Sequence, residues 1–187
     1  AVPEPVDEAA PLAPATLVAS RSGIEQMVLN TSGIRGVVIR PGCVYGRQGG
    51  LTGMWFDGPD KGRLLQVIGD GNSRWAMVHI DDLAEGYRRV AESGLASEVF
   101  NLTDRSCSPV RDMANAVARV TGYTGQIQFV PVGEASQTLG EFAECLALDQ
   151  LVDSGKAGRL LGWQPKHRGF IDEVETYFRS WKAAQYA

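Results

Sequence analysis

Hydrophobic residues along the chain recur with two different periods, and these predict alternating helices and strands. Short runs rich in β-branched residues, VVIR at 37–40 and VFNL at 99–102, are typical of buried parallel strands. Apolar positions spaced three and four residues apart predict helices over about 16–31 and in the segments DDLAEGYRRVAES and PVRDMANAVARVTG. The order of these elements predicts an α/β chain with parallel strand pairing.

The boundaries of the remaining elements follow from turn and capping signals. We expect Thr16 to cap the first helix, Ser154 to cap a short helix before LGWQP, and Asp81 and Asp82 to be the N-cap and first-turn acids of their helix. The glycine-rich segment PGCVYGRQGGLTG is too irregular to predict an element. The remaining expected elements are strands at 64–69, 75–80 and 127–132, a mostly helical stretch EASQTLGEFAECLALD, and a terminal helix over about 169–184.

Composition and charge exclude several classes of function. The 187 residues carry 18 Lys+Arg and 22 Asp+Glu, and the net charge of -4 provides no basic surface for nucleic acid. No apolar run reaches the roughly 18 residues of a membrane span, and the opening AVPEPVDEAAPLAPA has no signal-peptide pattern, so we expect a soluble, cytoplasmic protein.

The cysteines and histidines predict neither disulfides nor a metal site. Cys43, Cys107 and Cys145 are odd in number and far apart in the sequence. His79 and His167, the only histidines, are also far apart. We therefore predict no disulfide framework and no metal, and we interpret His79 as a structural residue.

Three segments, taken in order, carry a resemblance to a known family. They are the helix and loop that end in IRPGCVYG, the block GDGNSRWAMVHIDDLAEGY, and the tail FAECLALDQLVDSGKAGRLLGWQP. Together they resemble the extended short-chain dehydrogenase/reductase superfamily, the NAD(P)-dependent epimerase/dehydratase proteins. Each block alone is weak, but three in the family's order cover nearly the whole chain.

The resemblance implies the C-terminal part of a Rossmann-like NAD(P)-binding fold together with a small mixed α/β substrate-binding lobe. Residues 1–48 would be the last part of the Rossmann-like domain, and 49–187 mainly the lobe, with 76–104 returning to the sheet. The chain has no G-x-G-x-x-G turn after a strand. The resemblance therefore implies that about 120 residues of the parent protein, with that turn, precede Ala1.

The family's reaction centre is a Tyr-x-x-x-Lys pair, and this chain departs from it. The resemblance places Leu17 at the tyrosine position and Arg21 at the lysine position. Arginine retains donors for a ribose hydroxyl, whereas leucine cannot carry a proton. We predict NAD or NADP as the parent's cofactor, bound by Arg21, Gly42, Cys43 and Val44, and leave the catalytic residues unassigned.

Cys43, Tyr45, Arg74 and Trp75 are the predicted substrate-binding residues. For each of the first two the structural alternative is the favoured one: a small buried core thiol for Cys43, and a packed, hydrogen-bonded phenol for Tyr45. Sugar-nucleotide relatives place an arginine where this chain has Trp75, while Arg74 should point to the opposite face of a regular strand. This departure favours an apolar or aromatic ligand over a diphosphate, unless a bulge turns Arg74 inward. An ordinary core tryptophan is an equally good interpretation of Trp75.

Three hypotheses for the function remain open from the sequence. The first is the substrate-lobe portion of an NAD(P)-dependent oxidoreductase or epimerase that acts on a small, non-sugar-nucleotide molecule. The second is a catalytically degenerate NAD(P)-binding protein with a regulatory or interaction role. The third, a separate small α/β binding domain, is disfavoured because it would expose the edge of a parallel sheet. A homodimer is the candidate assembly, by analogy with relatives.

Overall fold

The structure, a computed structural model, describes residues 4–186. The strands are β1 (Val37–Pro41), β2 (Cys43–Tyr45), β3 (Gln66–Ile68), β4 (Met77–His79), β5 (Glu98–Leu102) and β6 (Gln128–Val130). The helices are α1 (Arg21–Asn30), α2 (Met54–Asp60), α3 (Ile80–Ser93), α4 (Val110–Thr121), α5 (Val132–Leu139), α6 (Phe142–Ala147), α7 (Gly155–Leu161) and α8 (Phe170–Ala184). No helix within the described range has both the length and the apolarity of a membrane span.

All six strands pair in parallel, which confirms the predicted α/β class. β1 pairs with β5, with Val37 opposite Glu98, and β2 pairs with β4, with Cys43 opposite Met77. The third pair joins β3 to β6. Each pair is formed by strands separated by intervening helices, as parallel pairing requires.

Gly42 connects the first two pairs through a close backbone contact. Its N–H donates to the carbonyl of Leu102 at 3.0 Å, and the N–H of Cys43 donates to the carbonyl of Ala76 at 2.6 Å. A Cβ atom on residue 42 would lie 2.6 Å from the carbonyl oxygen of Ala76. Glycine is therefore required here by space, because within one residue the chain passes from β1, which pairs with β5, to β2, which pairs with β4.

Two large hydrophobic clusters hold these elements together. The cluster around β1 and β5 contains Phe100, Leu102 and Trp163. The other is rich in aromatic side chains and joins α2, α4 and α8; its largest members are Tyr45, Trp55, Phe56, Trp75, Phe170, Tyr177 and Trp181. A small third cluster packs α5 and α6 against β6.

The first predicted helix and the glycine-rich loop differ from expectation. Thr16–Val18 form a single 3-10 turn and α1 begins only at Arg21, so the predicted helix over 16–31 is shorter and Thr16 is not its cap. A 3-10 turn commonly precedes a helix. Within the segment expected to be irregular, Cys43–Tyr45 form β2. Three residues are too few to show a period, and their pairing partner is distant in sequence.

Two capping predictions were correct only in part: Asp81 and Asp82 do lie in the first turn of α3, and Ser154 does occupy the N-cap position of α7. His79, not an aspartate, is the N-cap of α3, and its Nδ1 accepts from the N–H of Asp81 at 3.2 Å. The side chain of Ser154 makes no capping hydrogen bond, because its hydroxyl donates to the carbonyl of Thr103; Asp153 instead accepts the N–H of Gly155.

We expect Gly42→Ala to lower the free energy of unfolding by about 1–3 kcal/mol, the range for overpacking, because the new methyl group meets rigid backbone. The matched control is Gly23→Ala in α1, where a Cβ atom meets nothing within 4 Å. That change should raise stability by about 0.5–1 kcal/mol. Urea unfolding of the three proteins measures both effects, and equal stability of Gly42→Ala and the parent chain would contradict the steric explanation.

Candidate functional site

A cavity of about 460 Å³ lies between the extended segment 4–15 and the carboxyl end of β1. Three of the predicted binding residues, Arg21, Gly42 and Arg74, line it. The carboxyl ends of parallel strands are where ligands bind in open α/β sheets. The structure thus brings together a part of the predicted site.

The extended segment is fixed in place by hydrogen bonds. Val6 donates its N–H to the carbonyl of Leu151 and accepts from the N–H of Asp153, both at 2.9 Å. The carboxylate of Glu8 accepts from the N–H of Asn101 in β5 at 2.8 Å. These contacts make the segment one wall of the cavity.

Two of the three arginines that line the cavity are paired with carboxylates. Arg40 forms a bidentate salt bridge with Glu25, in which its Nη2 lies 2.5 Å from Oε2. This salt bridge raises the pKa of Arg40. Arg74 binds Asp149 through Nε at 2.9 Å and Nη2 at 2.5 Å, and its hydrogen bonds lower the pKa of Asp149. Within residues 4–186, Arg21 has no such partner, so its guanidinium remains available to a ligand.

Cys43 and Val44, predicted to contact the nicotinamide, lie away from the cavity wall. Cys43 packs against the aromatic cluster, and burial raises the pKa of its thiol to about 12. Val44 packs against the cluster around β5. Neither side chain lines the 460 Å³ cavity, and their predicted cofactor role remains a prediction.

Tyr45 is fully buried among aromatic rings. His79 lies 5.3 Å away and Phe170 5.7 Å away, centroid to centroid. The hydroxyl of Tyr45 faces the carboxylate of Asp104, but within residues 4–186 both this hydroxyl and Oδ2 of Asp104 are buried without a hydrogen-bond partner. Burial raises the pKa of Tyr45, and the charge of Asp104 adds to the shift. This geometry favours the packed phenol over a proton donor exposed to substrate.

The carboxylate of Asp104 is buried beside this phenol. Its Oδ1 accepts from both the N–H and the hydroxyl of Ser106, at 2.8 and 2.5 Å. Burial raises the pKa of Asp104 above its usual value, although the hydrogen bonds from Ser106 act in the opposite direction. The sequence analysis did not single out Asp104, because only the fold places it next to Tyr45.

Trp75 lines a second, smaller cavity of about 180 Å³. Its ring stacks on Trp55 at a centroid distance of 5.3 Å, and its indole N–H donates to the carbonyl of Leu146 at 3.1 Å. Arg74 lines the 460 Å³ cavity, so the side chains of these two adjacent residues line different cavities. The alternation expected for residues 74 and 75 is present, although β4 begins only at Met77.

The two histidines, distant in sequence, are stacked in the fold. The rings of His79 and His167 have centroids 3.5 Å apart, and potential ligand atoms of His79, Asp81 and His167 all lie within 4.8 Å of one another. Sequence separation was therefore not a valid reason to exclude a metal site. In this structure Nδ1 of His79 accepts from Asp81, and the Asp81 carboxylate accepts from Arg47 at 2.8 Å.

The fold and the cavity at the carboxyl end of β1 define a Rossmann-type α/β protein, and comparison with solved structures agrees. A dTDP-glucose 4,6-dehydratase from Streptomyces venezuelae, solved with NAD bound, superposes with a TM-score of 0.83 and 21% identity, covering 98% of this chain and 56% of that one. RMD from Pseudomonas aeruginosa, complexed with NADPH, gives a TM-score of 0.72 at 16% identity, covering 96% and 60%.

The family model described as the NAD dependent epimerase/dehydratase family matches residues 3–103, and the chain belongs to this family. A UDP-glucose 4-epimerase of Bacillus subtilis is 33% identical over 118 residues, which are 62% of this chain and 31% of the relative. Several curated relatives match over less than half of their own length. The resemblance drawn from the three sequence segments is confirmed.

Cys107 is exposed and Cys43 is not free to ionise, so the two thiols should differ in reactivity. The thiolate is the reactive form, and a pKa of about 12 leaves almost none of it at Cys43 near neutral pH. In a thiol titration with a disulfide reagent, Cys107→Ser should remove the fastest phase and Cys43→Ser should leave it unchanged. Loss of the fast phase in Cys43→Ser would show that Cys43 is an activated thiol.

The buried His79 should make stability depend on pH. Burial lowers its pKa below 6.5, and His167 adds to this, outweighing the charges of Asp81, Asp82 and Glu173. The unfolded chain therefore binds the proton more readily, so stability is full above about pH 6.5 and falls as the pH decreases toward the lowered value.

The variant His79→Asn keeps a capping acceptor and loses the titration. Between about pH 7.5 and pH 5, its free energy of unfolding should change less than that of the parent chain, by up to about 1.4 kcal/mol per pH unit. Urea unfolding at a series of pH values measures the two slopes. Identical slopes would remove His79 from this explanation.

Proposed function

We propose that this chain supplies the substrate-binding part of an NAD(P)-dependent oxidoreductase or epimerase that acts on a small, non-sugar-nucleotide molecule. The observation that carries the proposal is the unpaired guanidinium of Arg21 in a cavity at the carboxyl end of β1, in a chain of the epimerase/dehydratase family. Structural neighbours of this fold bind NAD or NADPH.

The residues that line the cavity fit the ribose end of a nicotinamide cofactor. Arg21 has free donors for ribose hydroxyls, and the backbone at Gly42 approaches closely because no side chain intervenes. Bound NAD(P) would supply the hydride chemistry of the reaction. The part played by this chain is to bind the ribose and orient the ring, while the proton donor is left unassigned because Leu17 cannot carry a proton.

The charges around the cavity support a substrate without a diphosphate. A site that binds a diphosphate requires arginine or lysine side chains that are free to donate hydrogen bonds to it, and arginine usually does so in a bidentate arrangement. Arg40 and Arg74 are already paired with Glu25 and Asp149. A sugar nucleotide bound here would compete with these carboxylates for the same donors.

We also propose the division into residues 1–48, the end of a Rossmann-like domain, and 49–187, mainly a substrate lobe, with 76–104 in the sheet. The pairing of β5 with β1 supports the return of residues 76–104 to the sheet. A homodimer in the cytoplasm is the proposed assembly and compartment.

A second candidate function is a catalytically degenerate, NAD(P)-binding regulatory protein. It is favoured by one observation, that the position of the expected proton donor holds Leu17, whose side chain is 49% exposed. An exposed leucine has no packing reason to replace a tyrosine. Binding of NADH or NADPH by the full-length protein, without turnover of any carbonyl compound, would support this candidate over the first.

We expect Arg21→Ala in the full-length protein to reduce kcat/KM about 10-fold or more, because ribose contacts are lost. The matched variant Leu17→Ala should change kcat/KM less than about threefold and leave the melting temperature almost unchanged, because the side chain is 49% exposed. Steady-state kinetics with NADH and NADPH, together with thermal melting of both variants, separates the two effects. Unchanged cofactor binding and turnover in Arg21→Ala would show that Arg21 is only a surface residue.

A further inference from the structure

Exposed apolar side chains surround the cavity that Trp75 lines. Met54 is 54% exposed, Leu64 is 59% exposed and Leu139 is 38% exposed, and all three line the 180 Å³ cavity. They come from α2, from the loop before β3 and from the end of α5. Apolar side chains from three separate segments meeting around one concave surface are typical of a binding site, whereas single exposed apolar residues are ordinary.

The floor of the cavity is aromatic and almost completely buried. Trp55 and Trp75 are stacked with an angle of 16° between their rings, and Leu65 and Leu146 complete the base. Because these side chains are fixed by the aromatic cluster, the cavity is formed without a ligand. A preformed apolar pocket binds a flat or flexible apolar group without the cost of ordering its own walls.

The polar groups of this cavity are already used. No lysine, arginine, histidine or acidic residue lines it within residues 4–186. Gln66, its one polar side chain, donates to Oε1 of Gln128 at 2.8 Å, and the indole N–H of Trp75 donates to Leu146. A charged group entering here would lose its hydration without gaining a partner.

From these contacts we infer that the 180 Å³ cavity binds an uncharged aromatic ring, or an alkyl group of similar size, of the substrate. An apolar cavity of about 150 Å³ holds benzene, so the volume suits one six-membered ring. The assignment to substrate rests on the proposed function. The binding itself requires no nicotinamide.

The experiment uses the 187-residue chain labelled with ¹⁵N and titrated with acetophenone, an uncharged aromatic carbonyl compound. The four tryptophans supply an internal control through their indole N–H signals. The signals of Trp55 and Trp75 should shift saturably, whereas those of Trp163 and Trp181, which do not line the cavity, should not. UDP, the charged comparison ligand, should leave all four unchanged.

The matched variants are Leu139→Asp at the rim and Leu160→Asp in α7. Both leucines are exposed, at 38% and 52%, so each variant should fold, which the ¹⁵N spectrum verifies. Leu139→Asp should weaken acetophenone binding at least about fivefold because it places a carboxylate beside the ring. Leu160→Asp should leave the affinity unchanged.

Three outcomes would overturn the inference: no saturable shift at Trp55 and Trp75, equal affinity in the two variants, or UDP binding at the same signals. Failure of the proposed function gives a different result. Saturable binding at these indoles, with no turnover of uncharged carbonyl compounds by the full-length protein, would contradict the proposed reaction but support the proposed binding site. Turnover that is unchanged by Leu139→Asp would contradict the proposed binding site but support the proposed reaction.

Discussion

The close backbone packing around Gly42 is the constraint on which the rest of the structure depends. One residue separates the strand that pairs with β5 from the strand that pairs with β4, so Leu102 and Ala76 both hydrogen-bond to adjacent amides. The N–H of Asp104 closes the arrangement by donating to the carbonyl of Met77 at 2.6 Å. Because the strand ends are tied together, the larger cavity has a rigid wall and Tyr45 and Asp104 are buried side by side.

This packing also explains why two neighbouring residues have opposite chemistry. Residues 74 and 75 lie just before β4, and their side chains line different cavities. Arg74 reaches the polar cavity, where Asp149 compensates its charge, and Trp75 reaches the aromatic cluster. An arginine at position 75 would require a carboxylate, and the 180 Å³ cavity has none among its lining residues. The order of Arg74 and Trp75 therefore makes one cavity charged and the other apolar.

Helices and strands whose hydrophobic residues follow a clear periodic pattern were predictable from the sequence. VVIR and VFNL form β1 and β5, and the two amphipathic segments form α3 and α4. β2 was missed because its partner, β4, comes more than thirty residues later, and no local pattern reveals such a pairing.

The site was predictable only where the family motif supplied it. Arg21, Gly42 and Arg74 come together, but the 180 Å³ cavity draws on residues from Leu51 to Leu146, whose proximity depends on helix packing. The stacking of His79 on His167 depends likewise on packing between distant segments. Sequence reasoning finds groups that one segment holds together and misses those that several segments assemble.

The fold and the chemistry of this chain are held by different residues, so the first is weak evidence for the second. None of the side chains of α1, Arg21–Asn30, is buried, and Leu17 before it is also exposed. A change between tyrosine and leucine at position 17 therefore costs the core nothing and leaves the parallel sheet intact. Family membership therefore accounts for the fold of this chain, whereas its chemistry depends on residues outside the core, such as Arg21.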